Sequence, residues 1–318
     1  MAHNPFEPTI AGAQALPPYV CTGVRTFGFP LLADALPLQA LCDQFLNIAP
    51  AGEGISFEPI PADPILYGPD ACFVLLEALD YQSLKATTPP WDHLGEAPQQ
   101  ELLFAVPVLR YQDGFPIEAG IFIPYIFVEN QGSALTGREV LGLPKLLANF
   151  TLKRDFPQSG SISMRLVGRT DMGGSIKSNQ FVKISSPLNA LVPPSFGVRF
   201  GRFFGPLDVL FAGTAAFALI ANAQTTGSTF GYSTRILIDP ETPATDAYRS
   251  IMRCTYASTN NATGFLPPVS VTLAKLVDLD VQSSLGIRAT AGGKALPISP
   301  YFLDADFSLE GVTTLWHS

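Results

Sequence analysis

Short apolar runs, bounded by Gly, Pro, Asp or Asn, make up most of the chain. "ACFVLLEAL" (71–79), "LLFAVPVLR" (102–110), "AGIFIPYIFVE" (119–129), "LANFTLKR" (147–154) and "QFVKISS" (180–186) read as strands. So do "STRILI" (233–238), "VSVTLAKLVDLDV" (269–281) and "YFLDADFSL" (301–309). In "SISMRLVG" (161–168) apolar and polar residues alternate, which predicts a strand with one wet and one buried face. Helical spacing is confined to 37–47, 134–142 and 207–222. "DPETPATD" (239–246) has the form of a helix start and predicts a further helix over 243–254. Strands and helices do not alternate as in a parallel sheet, and there is no internal repeat or low-complexity linker. The pattern predicts an α+β, mostly β fold with curled or closed antiparallel sheets and a few inserted helices. Residues 1–318 are expected to form one domain, with a Pro- and Ala-rich N-terminal arm over about 1–18.

Composition narrows the function classes. Hydrophobic residues are 47% of the chain and charged residues only 14%, where about a quarter is usual. Such a chain buries a large core and is expected to hide further apolar surface in a homo-oligomer. A net charge of −8, with no basic cluster, argues against a nucleic-acid partner. Cys21, Cys42, Cys72 and Cys254 are widely spaced and are expected to be free, buried thiols in a reducing compartment. No secretory signal is visible, so a cytoplasmic location is expected. The longest apolar run, 209–223, is too short for a membrane span and is expected to be a buried helix.

Few residues offer chemistry. Of three histidines, His3 and His317 lie at the ends and only His93 is internal, which disfavours a histidine metal site or a Ser-His-Asp triad. No metal or other cofactor is expected. Gly173-Gly174 and Gly292-Gly293 lack the context of a nucleotide loop and read as turns. Lys145 stands apart in "TGREVLGLPKLLANF" (136–150), a lone lysine among Val140, Leu141, Leu143, Leu146 and Leu147. It is either a solvated lysine at a helix end or a desolvated nucleophile. A lysine attacks a carbonyl only as the neutral amine, and burial disfavours the ammonium form.

"GRE", four residues, then "PK" resembles the active-site segment of the acetoacetate decarboxylase superfamily. The matching residues are Gly137, Arg138, Glu139, Pro144 and Lys145, with Asn130 seven residues before the glycine. "ELLFAVP" is similar to a second family segment, a Glu six residues before a Pro, here Glu101 and Pro107. The family's N-terminal arginine is matched by Arg25 in "PPYVCTGVR" with the register one residue off. "ALPISPYFLDADFSLEGV" resembles the family's last loop and strand.

The resemblance implies a cone-like β barrel around an apolar cavity, assembled as an oligomer. It also implies a cofactor-independent lyase in which Lys145 forms a Schiff base with a β-keto or 2-oxo acid. Decarboxylation and aldol- or dehydration-type chemistry stay open. Glu101 is the implied proton carrier, with Glu77 and Glu118 as second choices. Arg25 is placed to hold a substrate carboxylate or to pair with Glu101. Arg138, Glu139, Asn130 and Leu146 are supporting residues, the first two as structural ion-pairing groups. The family carries a second lysine where this chain has Leu146. Acetoacetate decarboxylase is a known example of a lysine activated by desolvation or by a nearby cation. Leu146 leaves desolvation to carry more of that effect, and its own influence depends on whether it faces the cavity. The chain is longer than the simple decarboxylases, with the excess placed near 196–265. The rival reading is a non-catalytic cone-barrel protein that binds an apolar small ligand.

Overall fold

The computed structural model describes residues 15–89, 91–158, 160–186, 228–238, 246–290 and 293–318. In chain order the strands begin with β1 (Tyr19–Asp34), β2 (Ile55–Pro59), β3 (Ala71–Ala86), β4 (Glu96–Gln112), β5 (Phe115–Val128), β6 (Lys145–Leu147) and β7 (Asn149–Thr151). They continue with β8 (Ser161–Gly168), β9 (Lys177–Ser185), β10 (Ser228–Ile238), β11 (Asp246–Phe265), β12 (Ser270–Leu273), β13 (Lys294–Ala295) and β14 (Tyr301–His317). The helices are α1 (Ala35–Phe45), α2 (Pro64–Tyr67), α3 (Gln131–Leu141) and α4 (Val281–Ser284). The mostly β fold expected from the sequence is therefore present.

A nine-stranded sheet carries the fold. Its pairings run β4–β3–β1–β14–β11–β10–β5, and β5 pairs again with β4, so the ladder returns to its start. The contacts of β5 with β10 and with β6 are short and parallel, and the other ladders are antiparallel. A second sheet of five strands, in the order β13-β12-β9-β8-β7, packs on the outside. Side chains alternate across a strand, so each long strand feeds two cores. Phe27, Phe29, Leu76 and Phe104 join Ile162, Met164 and Phe181 between the two sheets. Leu75, Leu79, Leu103, Ile121 and Ile123 form the core on the other face.

A bulge in β1 changes which residues face which core. The ladder with β14 shifts between Cys21 and Val24. Before the shift, Tyr19 and Cys21 face the inner core; after it, Val24 does, and Phe27 and Phe29 face the outer one. An extra residue in one strand has this effect because side chains repeat with a period of two.

Several expectations were met and others need correction. The helices expected over 37–47 and 134–142 appear as α1 and α3, each within a few residues. The four cysteines are free and buried. Residues 246–254 are not helical but form the start of β11, paired with β10 on one edge and β14 on the other. Two flanking ladders satisfy its backbone groups and override the helix-start signature. β1 has no matching run in the sequence reading, because Gly23, Gly28 and Pro30 interrupt it. The helix expected over 207–222 lies outside the described residues, as do 1–14 of the arm. Residues 228–238 and 246–265 of the stretch singled out for its length build β10 and β11 of the main sheet. Among the described residues, no helix is long and apolar enough to cross a membrane.

One row across the sheet depends on a glycine. Gly28 of β1 stands between Glu77 of β3 and Tyr301 of β14. A Cβ at Gly28 would lie 2.1 Å from the Tyr301 ring. The bare backbone lets that ring cross β1, and its hydroxyl donates to Glu77 at 2.8 Å. Gly28→Ala should therefore cost about 1–3 kcal/mol, the usual penalty of overpacking. A lowered urea midpoint with an unaltered slope checks this, and an unchanged midpoint would show that the ring yields freely.

Candidate active site

The Lys145 segment is built as a helix end turned into a strand. Asn130 caps α3, its side-chain oxygen accepting from the Ser133 backbone N–H at 3.1 Å. Gly142 ends the helix in the left-handed region, at φ 65°, where glycine is favoured. The chain turns through Leu143 and Pro144 and enters β6, with Lys145 beside Ile126 of β5. Ser133, Gly137 and Leu141 lie four residues apart on α3 and so share one face. The Lys145 side chain runs back along that face. A Cβ on Gly137 would fall 2.4 Å from Lys145 Cδ, so the glycine gives the lysine its channel. This geometry accounts for the spacing of Asn130, Gly137 and Lys145 in the sequence.

At the end of the channel Lys145 Nζ donates to Glu101 Oε2 at 3.2 Å and to Ser133 Oγ at 3.0 Å. Glu101 is held by β4, where Gln99, Glu101 and Leu103 share the inner face. Its Oε1 accepts from the Tyr81 hydroxyl at 3.1 Å, and its Oε2 from Gln99 Nε2 at 2.9 Å. Lys145 and Glu101 are only 7% and 4% exposed. Burial of this depth means that the pair exists by virtue of its hydrogen bonds rather than of water.

The pair opens on a cavity of about 280 Å³, walled largely by apolar residues that include Leu103, Ile121, Ile123 and Leu143. Glu77 also lines it. Burial pushes the Glu77 carboxyl up to about 7; the Tyr301 hydrogen bond opposes this shift and nearby Glu101 adds to it. Cys21 lines the cavity too, and burial raises its thiol to about 12, with Glu101 adding and Lys145 opposing. A thiol held protonated in this way is no rival nucleophile.

The other sequence candidates fall elsewhere. Arg25 follows the β1 bulge and turns away from the cavity. Its guanidinium forks onto Asp304 at 2.6 and 2.5 Å and donates to the Arg154 carbonyl at 2.7 Å. It pairs with Asp304, not Glu101. Glu118 accepts from Arg253 at 2.5 Å and from the Tyr232 hydroxyl and does not line the cavity. Glu139 pairs with Arg235 at 3.9 Å, while Arg138 is exposed. Leu146 is 39% exposed and points away from the cavity. His93 is exposed on a short turn. Sequence reasoning missed Ser133, Gln99 and Tyr81. Their signals were available as spacing: four residues before Gly137, two before Glu101, and opposite Gln99 in the β3–β4 register.

Residues 74–176 match the family model described as acetoacetate decarboxylase (ADC). This stretch holds Glu77, Glu101, Asn130, Ser133 and Lys145. Within residues 74–176 the chain is therefore similar in sequence to the acetoacetate decarboxylase family. A solved acetoacetate decarboxylase from Legionella pneumophila subsp. pneumophila str. Philadelphia 1 is 15% identical and aligns over 97% of this chain and 92% of its own, with a TM-score of 0.57. Another solved acetoacetate decarboxylase is 13% identical over 99% of this chain and 96% of its own, with a TM-score of 0.60. The enduracididine biosynthesis enzyme MppR, with HEPES buffer bound, is 14% identical over 98% and 93%, with a TM-score of 0.51. At these identities the likeness is one of fold. No curated protein matches the sequence.

The raised Glu77 carboxyl makes a stability prediction. Its folded value, about 7, lies above the ordinary 4.5, so the folded state holds the proton more tightly. That contribution is complete below about 4.5 and is lost as pH rises through about 7. Glu77→Gln removes the titration. The unfolding free energy of the variant relative to the parent should rise by about 3 kcal/mol between about pH 5 and pH 8. A flat difference across this range, from urea unfolding at several pH values, would show that Glu77 titrates normally.

Proposed function

We propose that this protein is a cofactor-independent carbon–carbon lyase in which Lys145 forms a Schiff base with a small carbonyl compound. The observation that carries the reading is a buried lysine amine within hydrogen-bond reach of a buried carboxylate and a hydroxyl, facing an apolar cavity. Glu101 at 3.2 Å is placed to take the ammonium proton and free the amine for attack. The amine adds to the carbonyl carbon, and the resulting hydroxyl leaves as water after taking a proton. The iminium that remains draws electrons from a bond one carbon away. Loss of CO2, aldol cleavage and dehydration all use this electron sink. Glu101, having given its first proton to the departing water, takes a second from the substrate's β-hydroxyl in aldol cleavage, or from solvent after loss of CO2, and passes it to the enamine carbon; hydrolysis of the imine then releases the product.

The neighbours support these roles. Tyr81 and Gln99 fix the Glu101 carboxylate, so its proton transfer needs no reorganisation. Ser133 is suited to hold the carbinolamine oxygen. The apolar wall keeps competing water from the imine. A homo-oligomer is part of the proposal and is supported by the exposed Leu135, Leu146 and Leu147 around the site.

Two predictions separate catalyst from binder. Borohydride reduction in the presence of a ketone, read by intact mass, should add one adduct to the parent and none to Lys145→Met. Leu146→Lys should trap at the parent's rate, within about twofold, because an exposed charge outside the cavity is screened. An adduct that survives in Lys145→Met would move the nucleophile to another lysine. A parent with no adduct would leave the apolar-ligand binder as the better reading.

Glu101→Gln should keep Schiff-base trapping and slow turnover by roughly 10²–10⁴-fold, the usual contribution of a positioned acid or base. Turnover within about threefold of the parent, measured with a processed substrate, would reduce Glu101 to a structural partner.

A further inference from the structure

The charges around the cavity identify the kind of carbonyl compound it accepts. Three carboxyl side chains line it: Glu101 beside Lys145, Glu77 on the neighbouring strand, and Glu96 at the exposed mouth. Among the described lining residues, Lys145 is the one cation. Lys85, opposite Glu96 in the β3–β4 register, is exposed and does not line the cavity. Arg25, expected to receive a substrate carboxylate, is bonded to Asp304 on the far face of β1. Resting on the Schiff-base reading of Lys145, we infer that the cavity selects a neutral ketone or aldehyde with an apolar body over an oxo acid, and that Glu77 sets this preference.

The positive charge at the site is already matched. Lys145 faces Glu101 at 3.2 Å, and the pair is neutral as a whole. Schiff-base formation replaces one ammonium charge by one iminium charge, and Glu101 still balances it. Among the described lining residues no positive charge is left over for a substrate carboxylate. Such a group would lose its hydration and lie beside a second carboxyl.

Glu77 is fixed in place. On the inner face of the sheet it is the diagonal neighbour of Glu101, which stands opposite Leu79, two residues further along β3. Diagonal positions of this kind lie roughly 7–8 Å apart. One Glu77 oxygen accepts from Tyr301 across the gap left by Gly28. No ion pair or other hydrogen bond to Glu77 is present among the described residues. Facing it are Tyr301 from β14 and Glu101 from β4, and the one cation among the described lining residues, Lys145, is bonded to Glu101. In its acid form Glu77 donates to a neutral oxygen of the substrate; in its ionised form it repels an anion. The rest of the wall, including Ile121, Ile123, Ile126 and Phe307, suits a hydrocarbon body.

The inference also narrows the reaction. A neutral substrate has no carboxylate to lose, so the iminium serves aldol-type cleavage or condensation, or dehydration of a β-hydroxy carbonyl compound.

The test uses 4-oxopentanoate and its methyl ester, which share a ketone and differ in charge. Each is trapped on the full chain with borohydride at neutral pH, and the rate of adduct formation is read by intact mass. The ester should be trapped at least about tenfold faster than the acid, equivalent to about 1.4 kcal/mol. In Glu77→Gln, which keeps an acceptor for Tyr301, the acid should gain on the ester and the ratio should fall severalfold. An acid trapped as fast as the ester by the parent would overturn the inference while leaving the Schiff-base reading intact. A ratio unaltered in Glu77→Gln would overturn the role given to Glu77. If neither compound labels Lys145, the Schiff-base reading fails and this inference fails with it.

Discussion

Everything at the site depends on a lysine and a glutamate that meet out of water. Taking both charges from solvent costs several kcal/mol per ion, and their attraction offsets this only when the remaining hydrogen-bonding positions are filled. Here they are filled by Ser133 on the lysine and by Tyr81 and Gln99 on the glutamate. Such an arrangement is a poor way to gain stability. It is a good way to hold an amine next to a proton acceptor, where exchange of one proton changes the lysine from cation to nucleophile.

The fold provides this meeting by closing a sheet on itself. β4 brings Glu101 and Gln99, β3 brings Tyr81, and β6 brings Lys145 through its parallel contact with β5. Because β5 also pairs with β4, the lysine strand lies one strand away from the glutamate strand. α3 covers the gap and supplies Ser133 and the groove at Gly137. The outer five-stranded sheet takes the opposite face of the same strands, which leaves the inner face free to enclose a cavity.

The parity of one strand decides which charges reach that cavity. The bulge near Cys21 sends Arg25 outward to Asp304 and leaves Gly28 on the inner face, where Tyr301 crosses to Glu77. Without the extra residue the two faces of β1 would exchange beyond it, and Arg25 would face inward. One local irregularity of backbone pairing thus keeps Arg25 out of a cavity lined by carboxyl side chains.

The sequence by itself determined the material of the fold and singled out the buried lysine that we propose as its nucleophile. Apolar runs bounded by Gly and Pro specify strands because they fit a pleated, half-buried surface, and most of them appear as expected. Lys145 and Glu101 were legible because each is an ionisable residue in an apolar segment with a fixed local spacing, and the cap at Asn130 and the channel at Gly137 are local features of the same segment. β11 was not legible, since its helix-like start gives way to two ladders formed with distant strands. Ser133, Tyr81 and Gln99 were passed over because a hydroxyl or an amide has no distinctive context until its partner is known. Arg25 was misassigned for the same reason: its side of the sheet depends on a bulge in register with β14, nearly three hundred residues away along the chain. Local sequence fixes backbone preference and chemical type. Which faces meet, and therefore which charges balance, is decided only when strands far apart in the chain pair and set their registers.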